Sequence, residues 1–469
     1  MNNELIYSDA TKLAELIRTS EVSPVEVMQA HLDRIEAVNP KVNAIVTIAD
    51  DALKSAKEAE AAVQRRDELG PLHGVPFTVK DSIDTAKVLT QRGTPIFRGR
   101  TPDTDATSVA RLKRAGGVLL AKTNLPEFSY GVESDNLLTG RTKNPWNLDL
   151  TPGGSSGGES AAIAAGMSPL GLGSDLAISL RRPAAHTGVV SLKATHGRVP
   201  MTGIWPREPR RFWHVGPMAR SIRDLSLAFS QLAGPDGQDG YSSSAIPFDA
   251  GVGSDKKRSL RVGWLVEAGF GPVDRETAST VEAAAEALKN FGNTVESVRI
   301  PALERDFALD VFTRLHVLEM KPGFVETTVE RSEDEIGDMA RFMLSLPDTP
   351  AADYIDAAQA AERLKDGYAE YFQKYDVLLT PVLPTPSFKH GQPELLINGQ
   401  TVNIMGIISA TTPLSVTGLP GVSMRFGTSH ERMPIGVQIV GSWQAESTIL
   451  HVASLLEQVS PVRNLHPNL

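Results

Sequence analysis

The residues best suited to chemistry in this chain are gathered in the run Thr151-Pro152-Gly153-Gly154-Ser155-Ser156-Gly157-Gly158-Glu159-Ser160, with Ser179 downstream and Val79-Lys80-Asp81 far upstream. Glycine tolerates positive φ and close backbone approach, so four glycines around two hydroxyls can aim N–H groups and serine side chains into one small volume. The set reads as the centre of a serine hydrolase that works without a histidine. Cysteine is absent, which removes a thiol nucleophile, disulfides and thiolate zinc sites.

Three readings of the glycine-rich run compete. Gly153 to Ser160 has the spacing of a phosphate-binding loop, Gly-x-x-x-x-Gly-x-Ser, but Glu159 stands where the phosphate-pairing lysine belongs, and an anion there repels a nucleotide. Gly153-x-Ser155-x-Gly157 also has the form of a nucleophile elbow, which requires a buried strand immediately before it. The preceding Lys143 to Pro152 is too polar and too interrupted by proline for such a strand. The later His186, His196, His214 and His316 could supply a base for that reading, but the sequence singles out none of them.

The third reading joins both serines to the lysine. Gly153-Gly154-Ser155-Ser156-Gly157-Gly158, the Ser179-x-Arg181-x-Pro183 step and Gly188-Val189-Val190-Ser191-Leu192-Lys193 resemble the amidase signature family. Leu72 to Asp81, Thr123 to Phe128, Gly216 to Arg220 and Met433 to Gly441 look like segments of the same family. The likeness covers roughly residues 5–235 and 376–458 and is weak between them.

That resemblance implies Ser179 as nucleophile, Ser155 as relay hydroxyl on a cis Gly154–Ser155 peptide, and Lys80 as base. A serine hydroxyl needs an aligned proton acceptor, and a lysine with an ordinary pKa of about 10.4 becomes one when burial lowers it. The resemblance also implies an oxyanion cradle of the backbone N–H groups of Leu176, Ala177, Ile178 and Ser179, with Ser156, Asp175 and Arg181 in support. Relatives usually carry Gly-Gly where this chain has Ala177-Ile178, so Ile178 is expected to shape substrate choice. Trp205, Phe212 and Trp213, in a basic and aromatic segment with Arg207, Arg210 and Arg211, are expected to flank an aromatic or extended apolar substrate. A nucleic-acid surface is the less favoured reading of that segment.

The elements that must position these residues alternate in type. Ser23-Pro24-Val25-Glu26 is a helix start with the form of a capping box, Ser8-Asp9 can cap an earlier helix, and Asn39-Pro40 should end the longer one. A β-type run covers Val42 to Ile48, and residues 51–68 suit a solvated helix. Val75, Phe77 and Val79 predict a short strand with Lys80 at its end. Strand-like Gly117 to Ala121, Leu170 to Leu172, Leu260 to Val266, Val295 to Ile300, Val377 to Thr380 and Gly436 to Val440 alternate with helical Ser108 to Ala115, Glu159 to Gly166, Thr277 to Phe291 and Glu446 to Leu456.

The pattern predicts an α/β fold: one large layered domain, its mixed central sheet covered by helices on both faces. Within residues 1–469 it falls into an N-terminal helical part (about 1–70), a signature core (about 71–235), an exposed connection at 235–257, a variable substrate region (about 301–375) and a C-terminal strand and helix (about 376–458). Net charge is −9, which disfavours a general polyanion binder. No signal peptide, membrane span or metal-ligand motif is legible, so we expect a cytoplasmic protein with no cofactor, no metal, and no nucleic-acid or membrane partner, as a monomer or homo-oligomer.

The expected function is a serine amidohydrolase that cleaves the C–N bond of a small amide through an acyl-enzyme, with aryl amides and carbamates (a urethanase activity) as close variants. One alternative is the glutaminase-type A subunit of a tRNA-dependent amidotransferase. A catalytically silent amidase-fold binding protein is the other.

Overall fold

Ser23 opens the first long helix, Pro24–Val42, as its sequence requires. Its hydroxyl accepts from the Glu26 N–H at 3.1 Å and the Glu26 carboxylate accepts from the Ser23 N–H at 2.8 Å. The helix does not stop at Asn39-Pro40. Pro40 is carried inside the last turn, and the exit comes at Asn43, in the left-handed region at φ 55°. Asp9 holds the N-cap position of the earlier helix, Ala10–Arg18, but its side chain does not cap it. The free N–H groups of Ala10 and Thr11 donate instead to Asp224 at 2.7 and 2.8 Å. A distant carboxylate therefore does the work assigned to Ser8-Asp9.

The computed structural model describes residues 3–242, 248, 259–267 and 269–469, so most of the connection read at 235–257 lies outside the described residues. The strands in chain order are β1 (Ile45–Ile48), β2 (Pro76–Lys80), β3 (Val118–Thr123), β4 (Leu170–Asp175), β5 (Val190–Lys193), β6 (His214–Ala219), β7 (Arg261–Trp264), β8 (Thr294–Ser297), β9 (Val377–Pro381), β10 (Glu394–Ile397), β11 (Gln400–Asn403), β12 (Gly421–Thr428) and β13 (Pro434–Gly441). Eleven of them form one sheet in the order β1-β3-β2-β4-β6-β5-β12-β13-β9-β7-β8, while β10 and β11 make a separate hairpin. The sheet is mixed: β2 is parallel to β3 and β4, β7 is parallel to β8 and β9, and the joins through β6, β5, β12 and β13 are antiparallel.

Every residue of β2, β3 and β4 is buried, as in strands covered on both faces. This is the expected single α/β domain, a mixed sheet with helices on either side. The stretch that resembled nothing specific, 301–375, forms helices Pro301–Arg305, Ala308–Thr328, Asp338–Ser345 and Ala351–Lys374. Two neighbouring strands inside this sheet carry the candidate site residues at their C-terminal ends. β2 delivers Lys80, and the parallel neighbour β4, in register at Val79–Leu172, delivers Ser174, Asp175 and the loop that follows.

Candidate active site

Lys80 ends β2 completely buried, and its Nζ donates to Ser155 Oγ at 2.6 Å and to Ser174 Oγ at 2.9 Å. Burial disfavours the ammonium and brings its pKa down from 10.5 to about 7, against the opposing pull of Asp175 and Glu159. Ser155 is fully buried and follows the cis Gly154–Ser155 peptide. Among the described residues no strand runs directly into Gly153, so the elbow reading lacks its platform. Its histidines fail as well. Burial holds His196 at about 4 and His316 at about 3, and pushes His186 and His214 well below the usual range. The ring hydrogen bonds of His196 and His214, to Arg210 O and Phe212 O, reach neither Ser155 nor Ser179.

Ser156 ties the glycine loop to β4. Its hydroxyl donates to Ser174 O at 3.1 Å and accepts from Ser174 N at 3.3 Å, while Ser156 N donates to Ser179 O at 3.2 Å. The Ser155 and Ser179 loops are thereby held side by side. Ser179, 5% exposed, lies between β4 and the Arg181–Thr187 helix. The backbone N–H groups of Leu176, Ala177, Ile178 and Ser179 donate to no protein acceptor among the described residues. Neither Ala177 nor Ile178 has positive φ, so the step usually filled by Gly-Gly is built here in a conformation open to a β-branched residue.

Asp175 and Arg181 lock this loop. Asp175 accepts from Leu180 N at 2.9 Å and from Arg181 Nε and Nη2 at 3.1 and 2.9 Å. Burial pushes its carboxyl up, but the guanidinium and the N–H hold it below the usual carboxylate range. Arg181 continues to Ala177 O at 2.8 Å, Thr411 O at 2.7 Å and Gln438 Oε1 at 3.1 Å, so the loop is anchored to the C-terminal part of the sheet.

Glu159, which argued against a nucleotide, is buried in the first turn of the Gly157–Ala164 helix and bonded by the hydroxyls of Thr78 on β2 and Thr123 on β3. Burial raises its pKa to about 8, so it is largely neutral near pH 7. Sequence reasoning missed Ser174 as a second partner of Lys80. Its only signal was the position beside Asp175 in Gly173-Ser174-Asp175.

The turn Gly131-Val132-Glu133 packs on the glycine loop so tightly that a Cβ on Gly154 would stand 2.8 Å from Glu133 N. That turn also lines a cavity of about 460 Å³ shared with Glu127, Tyr130, Asp135, Leu137, Asp338 and Met339. Glu133 is tied across it to His390 Nδ1 at 2.9 Å and Gly391 N at 3.0 Å. Trp205, Phe212 and Trp213 are not part of this lining. Phe212 and Trp213 are buried, and Trp205 packs edge-on to Phe97 and Phe128. The basic segment is neutralised locally, with Arg210 on Asp239 and Arg211 on Glu319. Among the described residues there is no cluster of metal-ligating side chains and no helix long and apolar enough to cross a membrane.

A family model described as Amidase matches residues 26–450. The chain belongs to the amidase family. A curated relative, the A subunit of the glutamyl-tRNA(Gln) amidotransferase of Carboxydothermus hydrogenoformans, is 33% identical over 494 aligned positions, covering 99% of this chain and 100% of the relative. The solved structure of a 6-aminohexanoate cyclic dimer hydrolase superposes with TM-score 0.89 at 30% identity, covering 99% of both chains. The A subunit of the glutamyl-tRNA(Gln) amidotransferase of Thermotoga maritima gives 0.79 at 26%, covering 98% and 96%. The amidase is accordingly a hydrolase of amide C–N bonds.

Proposed function

We propose that this amidase cleaves small amides through an acyl-enzyme, with Ser179 as nucleophile, Ser155 as relay and Lys80 as base. The observation that carries the reading is the buried Lys80 amine, with a pKa of about 7, hydrogen-bonded at 2.6 Å to Ser155 on the loop tied to Ser179. The neutral amine takes the Ser155 proton while Ser155 takes that of Ser179. Ser179 Oγ bonds to the carbonyl carbon, and the resulting oxyanion is met by the N–H groups of Leu176, Ala177, Ile178 and Ser179. Each such donor is typically worth about 10²–10³ in rate. Collapse breaks the C–N bond, the proton returns through Ser155 to the leaving nitrogen, and water repeats the sequence to release the acid. Carbamates present the same carbonyl and are accepted variants.

Mass spectrometry after fluorophosphonate treatment, paired with aniline release from acetanilide, tests this. Labelling and release that both vanish in Ser179→Ala are expected; labelling that persists in the variant would refute the assignment.

A second reading, the glutaminase component of a tRNA-dependent amidotransferase, is favoured by the full-length 33% identity to such a protein. Ammonia release from glutamine in preference to acetanilide would reverse the order of the two readings.

A further inference from the structure

Ser156 holds the N-cap position of the Gly157–Ala164 helix, but its side chain caps nothing there, because the hydroxyl is engaged with Ser174 on β4. The first N–H groups of a helix have no partner within it, so an acceptor must come from elsewhere. Ser134 supplies one: Gly157 N donates to its Oγ at 3.0 Å. The same hydroxyl donates toward Gly153 O at 3.1 Å and Ser155 O at 3.4 Å. A serine hydroxyl has one proton to give and lone pairs to accept with, and this wholly buried one uses both. It meets the glycine loop on each side of Ser155 and at Ser155 itself.

A loop with glycine at 153, 154, 157 and 158 has much conformational freedom to lose, so it needs contacts from outside to keep one shape. The Ser155 side chain offers little of its own: it bonds Lys80 Nζ at 2.6 Å, the group with which it must exchange a proton. The segment that carries Ser134 is fixed independently of the loop. Ser134 O accepts from Thr142 N at 2.9 Å, and two residues on, Asn136 Nδ2 donates to Leu125 O at 2.7 Å and Asn124 Oδ1 at 2.9 Å. Two residues before it, Val132 O accepts from Nη1 of Arg182, on the helix that begins just after Ser179. The fit between segment and loop is close. A Cβ on Gly157 would stand 2.5 Å from Ser134 Oγ, and one on Gly158 would overlap Asn124 O.

We propose that Ser134 is a positioning residue of this amidase, its hydroxyl spanning the glycine loop from Gly153 to Gly157 and so holding the Ser155 hydroxyl in place as the relay between Ser179 and Lys80. The inference rests on the hydrolase reading and adds to it the residue that aligns the relay. Ser134 bonds only backbone atoms of the loop and acts through Ser155. A misplacement of about 1 Å at a reacting group can cost about 10²-fold in rate, so the loss of this hydroxyl is read in catalysis separately from folding.

The test compares Ser134→Ala with Ser168→Ala, which removes another buried hydroxyl bonded to a backbone carbonyl, Leu170 O at 2.7 Å, at the end of β4 opposite Ser174. Urea midpoint, kcat and KM on acetanilide and the rate of fluorophosphonate labelling are measured for each. Both variants should lose urea midpoint, but only Ser134→Ala should lose about 10²-fold in kcat and labelling rate, with KM within about two-fold of the wild type. In a Ser155→Ala background, Ser134→Ala should cost nothing further, because no relay is left to align. A Ser134→Ala enzyme that loses urea midpoint as Ser168→Ala does and keeps kcat, that changes KM alone, or whose loss adds in full to that of Ser155→Ala overturns the proposal. If Ser134→Ala does not fold, Ser134→Cys, with a weaker donor on a side chain of the same length, is held to the same criteria. If the wild type neither turns over acetanilide nor takes label, the reading of Ser179 as nucleophile falls, and the ε-¹³C resonance of Lys80, assigned with Lys80→Ala, decides whether Ser134 places Ser155 against Lys80. A Lys80 titration, about 7 in the wild type, that is displaced in Ser134→Ala but not in Ser168→Ala sustains the inference, and one displaced in neither or equally in both ends it.

Discussion

Lys80 and Glu159 are displaced from their solution behaviour in opposite senses, both by burial. In the proposed mechanism Lys80 acts as a neutral amine, so kcat/KM should climb as pH rises through about 7, the value burial gives it. Lys80→Ala should remove that limb along with at least about 10³ of the rate, read in a pH–rate profile. Glu159 makes a contrasting prediction about stability. Its folded pKa, about 8, lies above the ordinary 4.5, so the native state binds the extra proton between those values. Its contribution is therefore whole below about 4.5 and is lost as pH rises through 8. Glu159→Gln, which keeps the shape without the titration, should gain on the wild type in urea midpoint as pH is raised from about 5 to about 9. The acid limb of activity should move little, because the carboxyl is already largely neutral near pH 7. At this scale the sequence was readable where a residue belonged to a motif that carries the family resemblance, as Lys80, Ser155 and Ser179 do, and the fold sets Lys80 against Ser155. Ser174 carries no such motif, and only the folded chain sets its hydroxyl beside Lys80.

Among the elements, the Arg181–Thr187 helix shows how the loop before it is kept in shape. Arg181 and Asp175 are both wholly buried and bonded to each other, and removing one partner of such a pair typically costs about 3–5 kcal/mol. Arg181→Met should lower the melting temperature and, through the released Ala177 carbonyl, weaken fluorophosphonate labelling of Ser179 more than it weakens folding. Gly171 in β4 is a second fixed point, since a Cβ there would overlap the Glu159 carboxyl and approach Thr78 Oγ1. Gly171→Ala is expected to cost at least about 1–3 kcal/mol in chemical denaturation, as overpacking of a filled core does. Strands rich in branched residues and bounded by turn signals, such as β2, β9 and β13, could be read from the chain. β6 could not, because Gly216 and Pro217 interrupt it, and only its pairing with β4 and β5 makes it a strand. The Ala308–Thr328 helix was hidden for a similar reason. It carries Pro322 inside it, and its apolar face is recognisable only once Tyr130 and Phe128 are packed on it.

At the scale of the molecule the two recognisable stretches of sequence are interleaved rather than adjacent. β12 pairs with β5, β13 pairs with β12 and β9, and the long sheet is continuous from β1 to β8. A single cooperative transition is therefore expected in calorimetry, and limited proteolysis should release no independently folded fragment corresponding to 71–235; two resolved transitions would contradict this. The interleaving also orders events during synthesis. Until Gly421–Gly441 has left the ribosome, β5 lacks its partner β12 and β9 its partner β13, and Arg181 waits for Gln438. The serine loop is thus translated long before the residues that brace it. The growing chain would carry its hydrolytic apparatus in an unassembled, inert form until nearly the last strand is made.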